Sequence, residues 1–189
     1  MKIIDLNQLR NRAYKCACEH GFHDEELNDE HLFCLIISEL MEAVEADRKG
    51  RLGRNCRSRF ELEYNRYPAL VEESKRFASA FEKHIKDTVP DELADAVIRL
   101  LDWYGTRSIV IDNADFDDKV IEEYSRTYTN KNFTKSVFNI TQYIIDRSPG
   151  IAILKIFGFA KHLNIDLFWH IEQKMKYNEL RPKLHGKKY

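Results

Sequence analysis

The sequence contains little glycine or proline, with 7 and 4 residues respectively in a chain of 189. Both residues mark turns and end regular elements, so their scarcity predicts few turns. Apolar positions recur at helical spacing through most of the chain. We therefore predict an all-α protein that forms a single domain over residues 1–189, with six to eight helices.

Cysteine is also scarce, and its spacing is uninformative for metal or disulfide chemistry. Cys16, Cys18, Cys34 and Cys56 include no C-x-x-C pair, which favours neither a zinc ribbon nor a disulfide framework. The first residues are too polar for a signal peptide, and no apolar run approaches the roughly 18 residues of a membrane span. We expect a reduced, cytoplasmic protein without a membrane partner.

Charge of one sign does not dominate, because 30 Lys and Arg residues stand against 31 Asp and Glu residues. This balance gives no reason to expect nucleic acid as a partner. The chain lacks both G-x-x-x-x-G-K-[ST] and G-x-G-x-x-G, the glycine-rich patterns that cradle nucleotide phosphates. No Glu is followed three residues later by His, which argues against a di-iron carboxylate bundle.

The most informative stretch is SELMEAVEADRKG, residues 38–50. It lies in a helix predicted from the N-cap Asn28 to about Lys49, which we expect to be the central one. At about 100° per residue, Glu39 falls in the apolar stripe of this helix and Glu42 at its edge. A buried carboxylate costs several kcal/mol unless it is compensated. Something positive should meet both acids, although a buried acid paired with an arginine would also explain Glu39.

A second acidic pair, Glu92 and Asp95, has the same spacing on a helix that begins near Pro90 and stops at Gly105. Two helices that each present a pair of carboxylates can close a box of four, which suits a hard divalent cation. The alternative is a solvated helix face, on which Arg99 pairs with Asp95 four residues before it.

The third element is the C-terminal stretch KMKYNELRPKLHGKKY. Lys174, Asn178 and Arg181 follow one helical edge, and a cation, an amide and a guanidinium in a row suit phosphate oxygens. The alternative is a solvated basic tail that complements a helix C-terminus, which is the better interpretation of Lys187 and Lys188.

The order E-x-x-E, E-x-x-D and K-x-x-x-N-x-x-R-P, followed by H-G-K-K, resembles the MazG-like all-α nucleoside triphosphate pyrophosphatases. The similarity covers about residues 28–50, 88–104 and 150–189. It implies a helical bundle on a four-helix core and a homodimer or homotetramer. It also implies Mg²⁺, with Mn²⁺ as a substitute, and cleavage of a (deoxy)nucleoside triphosphate to the monophosphate and pyrophosphate. The implied metal ligands are Glu39, Glu42, Glu92 and Asp95, the catalytic residues Glu39 and Glu42, and the substrate-binding residues Lys174, Asn178 and Arg181.

Two departures from the family pattern bear on function. Ser38 stands where the family has a further acid, and residues 51–87 and 106–149 have the character of insertions. We expect Glu42, at the edge of its stripe, to be better placed than Glu39 to contact the attacking water. The alternative is a non-catalytic helical module of the same fold that binds nucleotides or regulates a partner.

Overall fold

The computed structural model describes residues 5–68 and 70–186, and every regular element in those ranges is helical. The all-α prediction is confirmed. The α-helices are α1 (Leu6–Glu19), α2 (Asp29–Arg48), α3 (Cys56–Arg66), α4 (Glu73–His84), α5 (Val89–Thr106), α6 (Asp118–Arg126), α7 (Phe133–Ile145), α8 (Pro149–His162) and α9 (Leu167–Glu179). Two 3₁₀ helices, Asn113–Phe116 and Lys183–Gly186, complete the described part.

The helix ends that frame the site follow local sequence rules. The Asn28 side chain accepts the backbone N–H of His31 at 2.9 Å and so caps α2. Pro90 occupies the first turn of α5, where its missing N–H costs nothing. After α1 the chain reverses at Gly21, whose φ of +79° lies in the left-handed region that glycine tolerates best.

The helix count exceeds the prediction of six to eight, mainly because α3 was not expected. This helix buries only Cys56 and Phe60, and its Leu62 is exposed among mostly polar residues, so its sequence shows little periodicity. The predicted helix after Pro68 begins only at Glu73. The irregular excursion expected over residues 106–135 is present and contains the short helix α6.

The centre of the molecule is α5, and the expectation that α2 is the central helix is wrong. Along its 18 residues α5 packs against α1, α2, α8 and α9. It buries eleven side chains, including Asp91 and Glu92 in its first turn. None of the helices in the described ranges is both long and apolar enough to cross a membrane.

The hairpin of α3 and α4 folds over a core of its own and packs on α9. Phe60 and Phe77 meet edge to face with their ring centroids 5.5 Å apart, and Phe81 stacks on Tyr177 of α9 at 4.3 Å. The Lys174 ammonium lies 5.9 Å from the centroid of the Phe81 ring. The hairpin therefore supports the part of α9 that carries the candidate site.

Candidate metal centre and its cavity

Three of the predicted acids meet where α2 crosses α5. Carboxylate oxygens of Glu39, Glu92 and Asp95 lie within 4.8 Å of one another. Glu39 and Glu92 are 2% and 4% exposed, although carboxylates are almost never buried unless something compensates them. The spacing and the oxygen-only donor set could hold a metal ion, and oxygen ligands suit hard cations.

Glu42 is the predicted acid that the structure does not bring into this group. It lies three residues beyond Glu39 on α2, a rotation of about 300° around the helix, so its side chain leaves about 60° from that of Glu39. Glu39 therefore faces α5, whereas Glu42 is exposed to solvent.

Lys174 enters the acidic group from α9. Its ammonium nitrogen lies 3.1 Å from Asp91 Oδ2 and 3.3 Å from Asp95 Oδ2, and the residue is 5% exposed. Burial opposes the charged ammonium, but Asp95, Asp91 and Glu92 outweigh that cost and raise the pKa of Lys174. The predicted substrate-binding lysine is thus an internal counter-ion of the acids in this structure.

Asp91 was not predicted as a site residue, and it is the most buried acid of the group at 1% exposure. Its Oδ2 accepts the Lys174 ammonium and the backbone N–H of Asp87, the latter at 3.0 Å. Its Oδ1 is buried without a hydrogen-bond partner among the described residues. Burial raises the pKa of Asp91 to about 6.

Glu39 also has the arginine partner that the alternative interpretation anticipated. Arg99 Nε donates to Glu39 Oε1 at 2.6 Å. Burial opposes the guanidinium charge, but Glu39 and Asp95 raise the pKa of Arg99. The same contact explains a buried acid and also holds its carboxylate in place beside Glu92 and Asp95.

Glu92 shows the strongest need for a further positive charge. Burial, followed by repulsion from Asp91, raises the pKa of Glu92 to about 9 although Lys174 lowers it. At neutral pH this carboxyl keeps its proton unless a cation favours the ionised form. A divalent cation bound by Glu39, Glu92 and Asp95 would supply that charge, so the residues present fit such an ion.

A cavity of about 270 Å³ lies beside the acidic group. Its walls come from α1, the α1–α2 connection, α2, α5, α9 and residues 183–185. Asp95 and Arg99 line it, which connects the acidic group to the cavity, and Leu32, Leu35 and Ile98 provide apolar wall. A mostly apolar concavity with a few polar groups is typical of small-molecule sites.

The other two predicted substrate-binding residues line this cavity. Asn178 is 6% exposed, and its Oδ1 has no hydrogen-bond partner among the described residues. Arg181 donates from Nη2 to the carbonyl oxygen of His185 at 3.0 Å. Lys187 and Lys188, predicted as a solvated tail, lie outside the described residues.

Residues 181–185 close one side of the cavity through contacts with the end of α1. The Leu184 backbone N–H donates to the His20 carbonyl at 2.8 Å, and a ring nitrogen of His20, Nε2, lies 2.9 Å from the Arg181 carbonyl. Lys183 pairs with Asp24. The C-terminal stretch is therefore a wall of the site and is packed against the chain that precedes α2.

Sequence reasoning missed Asp91 and the pair formed by His23 and Asp102. Asp91 shares a helix face with Asp95 four residues later, and that spacing is the signal that could have found it. His23 lies in a connection without periodicity, so no sequence pattern joins it to Asp102 before the fold is known.

No protein-family model, curated protein or solved structure matches the chain. The family resemblance therefore stays a prediction from three short motifs.

Proposed function

We propose that the protein is a Mg²⁺-dependent nucleoside triphosphate pyrophosphohydrolase. One observation carries the proposal: three carboxylate oxygens from α2 and α5 lie within 4.8 Å of one another beside a cavity of about 270 Å³. Such a donor set holds a hard cation, and the cavity offers space for a small organic ligand next to it.

In this proposal Glu39, Glu92 and Asp95 would hold the ion, which would supply charge neutralisation at the phosphates and activation of water. Arg99 fixes the Glu39 carboxylate, and Lys174 fixes that of Asp95. The guanidinium of Arg181 lies on the cavity wall, where it can donate to phosphate oxygens.

Water would add to the α-phosphorus while the bond to the bridging oxygen of the β-phosphate breaks. The products are the nucleoside monophosphate and pyrophosphate, and the water proton passes to a carboxylate acting as general base. Glu42 is exposed at the edge of the apolar stripe of α2 and stays our predicted contact for that water.

The unpartnered amide oxygen of Asn178 supports a ligand in the cavity. A buried acceptor without a hydrogen bond costs about 1–3 kcal/mol. A ligand hydroxyl or amine would satisfy it, and a ribose or deoxyribose carries such hydroxyls. Asn178 is therefore our proposed contact to the non-phosphate part of the substrate.

A homodimer or homotetramer, implied by the resemblance, is part of the proposal. Phe138 and Ile145 lie seven residues apart on α7, two helical turns on one face, and each is 64% exposed. Exposed apolar side chains of this size suit burial against another subunit. Light scattering of the purified protein measures the assembly directly.

The second candidate is the non-catalytic nucleotide-binding module. The ion pairs of Lys174 with Asp91 and Asp95 favour it, because a resident cation already compensates part of the acidic group. In that case nucleotide would bind in the cavity without turnover.

The test is pyrophosphate release from a panel of ribo- and deoxyribonucleoside triphosphates, with Mg²⁺, with Mn²⁺ and with chelator. Glu39→Gln and Glu92→Gln should each reduce release at least about 100-fold, since changes even to outer-shell residues cost 10–100-fold at metal sites. Glu45→Gln is the matched control, since Glu45 lies on the same helix and pairs at the surface with Arg48 and Lys49.

Binding without release would favour the module. Release that persists in chelator, or in both acid variants, would contradict the metal proposal. Circular dichroism of each variant verifies that the helical fold is kept.

A further inference from the structure

The cavity follows α5 for two helical turns. Asp95, Arg99 and Asp102 lie at i, i+4 and i+7 on this helix, and all three line it. With a rise of 1.5 Å per residue, Asp95 and Asp102 are about 10 Å apart along the axis. A nucleotide whose phosphates lie at Asp95 can therefore reach Asp102 with the far edge of its base.

Asp102 is a fixed hydrogen-bond acceptor at that end. Its side chain is 17% exposed, and its Oδ1 lies 2.8 Å from His23 Nε2. Burial raises the pKa of Asp102 although His23 lowers it, and the bond to Asp102 raises the pKa of His23. The carboxylate and the imidazole thus hold each other in place at the cavity wall.

The pair leaves acceptor capacity for a ligand. A carboxylate offers about four lone-pair sites, of which the bond from His23 uses one. An ionised carboxylate has no hydrogen to donate, so a carbonyl oxygen placed against it repels it and gains no bond. An amino group placed there donates one.

Part of the neighbouring wall is apolar. Aliphatic side chains line the cavity at Leu32, Leu35 and Ile98. They can contact a flat ring but form no hydrogen bonds with the polar groups on its edge. Apart from Asp95, the other carboxylates that line the cavity, Asp24 and Glu25, are exposed, so Asp102 is the acceptor that is held in place next to the apolar wall.

We propose that Asp102 is a specificity-determining residue that selects nucleotides whose base carries an exocyclic amine. Adenine, cytosine and guanine meet this condition, whereas hypoxanthine, uracil and xanthine place a carbonyl oxygen at the corresponding position. The proposal rests on the proposed function in one respect, since it needs a nucleotide in the cavity with its phosphates at the acidic group.

The experiment is calorimetric binding of three pairs of nucleoside monophosphates in the presence of Mg²⁺: AMP and IMP, CMP and UMP, GMP and XMP. Monophosphates are used because binding is then measured without turnover. In the pair that binds most tightly, the amino member should bind about tenfold or more tightly than its keto partner, as expected for one hydrogen bond to a charged group.

Asp102→Asn should bring that ratio close to one, because an amide can turn either its oxygen or its amino group to the ligand. Asp146→Asn is the matched control. Asp146 is exposed at the end of α7 and lies outside the residues that line the cavity, so the ratio should stay as in the wild type.

Equal binding of amino and keto members by the wild type, or an unchanged ratio in Asp102→Asn, would overturn the assignment of Asp102. The first result needs no variant, so it stands even if Asp102→Asn folds poorly. Pyrophosphate release without base discrimination would leave the proposed function intact and this inference wrong. Discrimination without release would do the reverse, and the absence of any nucleotide binding would reject both.

Discussion

Two lysines of this protein are buried to a similar degree, but their surroundings shift their pKa values in opposite directions. Lys174 and Lys155 are 5% and 8% exposed. Lys174 lies against the carboxylates of Asp91 and Asp95, which outweigh burial and raise its pKa. The Lys155 ammonium lies over the aromatic rings of Tyr143 and Tyr124, 4.8 and 5.5 Å from their centroids, and burial lowers its pKa.

The difference separates a site from a core. Aromatic faces attract a cation weakly, and because the rings are neutral they need no counter-charge. Buried carboxylates, by contrast, need positive charge as much as the lysine needs them. Burial of a charge alone therefore says little about function, whereas a cluster of several buried acids beside a cavity is a place that could hold a cation.

The largest expected effect comes from removing the lysine ammonium that compensates the buried acids. Lys174→Met should lower the free energy of unfolding by about 3–5 kcal/mol, because it leaves Asp91 buried with an uncompensated charge. Urea denaturation measures the change. Mg²⁺ should recover part of the loss in this variant, since an ion at Glu39, Glu92 and Asp95 again supplies positive charge. A loss below about 1 kcal/mol would show that Lys174 contributes no more to stability than Lys155 does, and the distinction between the two lysines would fail.

The next effect concerns pH in the metal-free protein. The pKa values of Glu92 and Asp91 are raised to about 9 and about 6. The folded state therefore keeps protons that the unfolded chain has lost above about pH 4–5, and stability falls as pH rises. Between pH 6 and pH 9 the loss should reach a few kcal/mol, at up to about 1.4 kcal/mol per pH unit for Glu92.

Glu92→Gln should flatten this dependence, because the amide stays neutral throughout the range. Denaturation of both proteins in chelator at pH 6 and pH 9 provides the measurement, with Glu45→Gln as the surface control. A wild-type protein that is equally stable at both pH values would show that Glu92 is ionised without added metal.

A smaller effect is expected where the Lys155 region is packed most closely. Gly158 of α8 lets α6 approach, because a Cβ there would lie 2.6 Å from Tyr124 Cβ and 2.8 Å from its carbonyl carbon. Gly158→Ala should cost about 1–3 kcal/mol of stability through overpacking. Gly50→Ala is a useful contrast, since that glycine has no atom within 4 Å, and its φ of +71° makes any cost one of backbone strain alone.

The smallest effect should follow Lys155→Met. Methionine fills similar space and also contacts aromatic rings favourably, so the change should cost no more than about 1 kcal/mol. The pH dependence of stability should stay as in the wild type between pH 6 and pH 9. A cost as large as that of Lys174→Met would reveal a partner for Lys155 that its ring contacts do not explain.

Residues of the site were predictable where a charged side chain falls at an apolar position of a periodic pattern or where the spacing along one helix is regular. Glu39 interrupts an apolar stripe, which identified a compensated acid, and the spacing of Glu92 and Asp95 on a well-marked helix identified the second pair. Asn178 and Arg181 were grouped from one predicted helical edge. Helix α9 ends at Glu179, so Arg181 lies beyond it, but both residues line the cavity. In each case the spacing along one helix is enough to show which residues share a face.

The remainder depends on contacts between distant segments. The position of Glu42 is set by the rotation of α2 against α5, and a residue at the edge of a stripe can fall on either side of it. Lys174 was expected at phosphate, but the packing of α9 on α5 brings it to Asp91, 83 positions away in the chain. Helix α3 was missed because so little of its surface is buried.

The order of these segments in the chain has a consequence for how the protein is made. Synthesis delivers α5 with its buried acids well before α9, and domains fold as their segments emerge. Until α9 arrives, Asp91 and Glu92 lack the positive charge of Lys174, and the cavity lacks the wall that α9 supplies. A nascent chain that ends before α9 therefore leaves exposed the part of α5 that α9 covers in the complete fold.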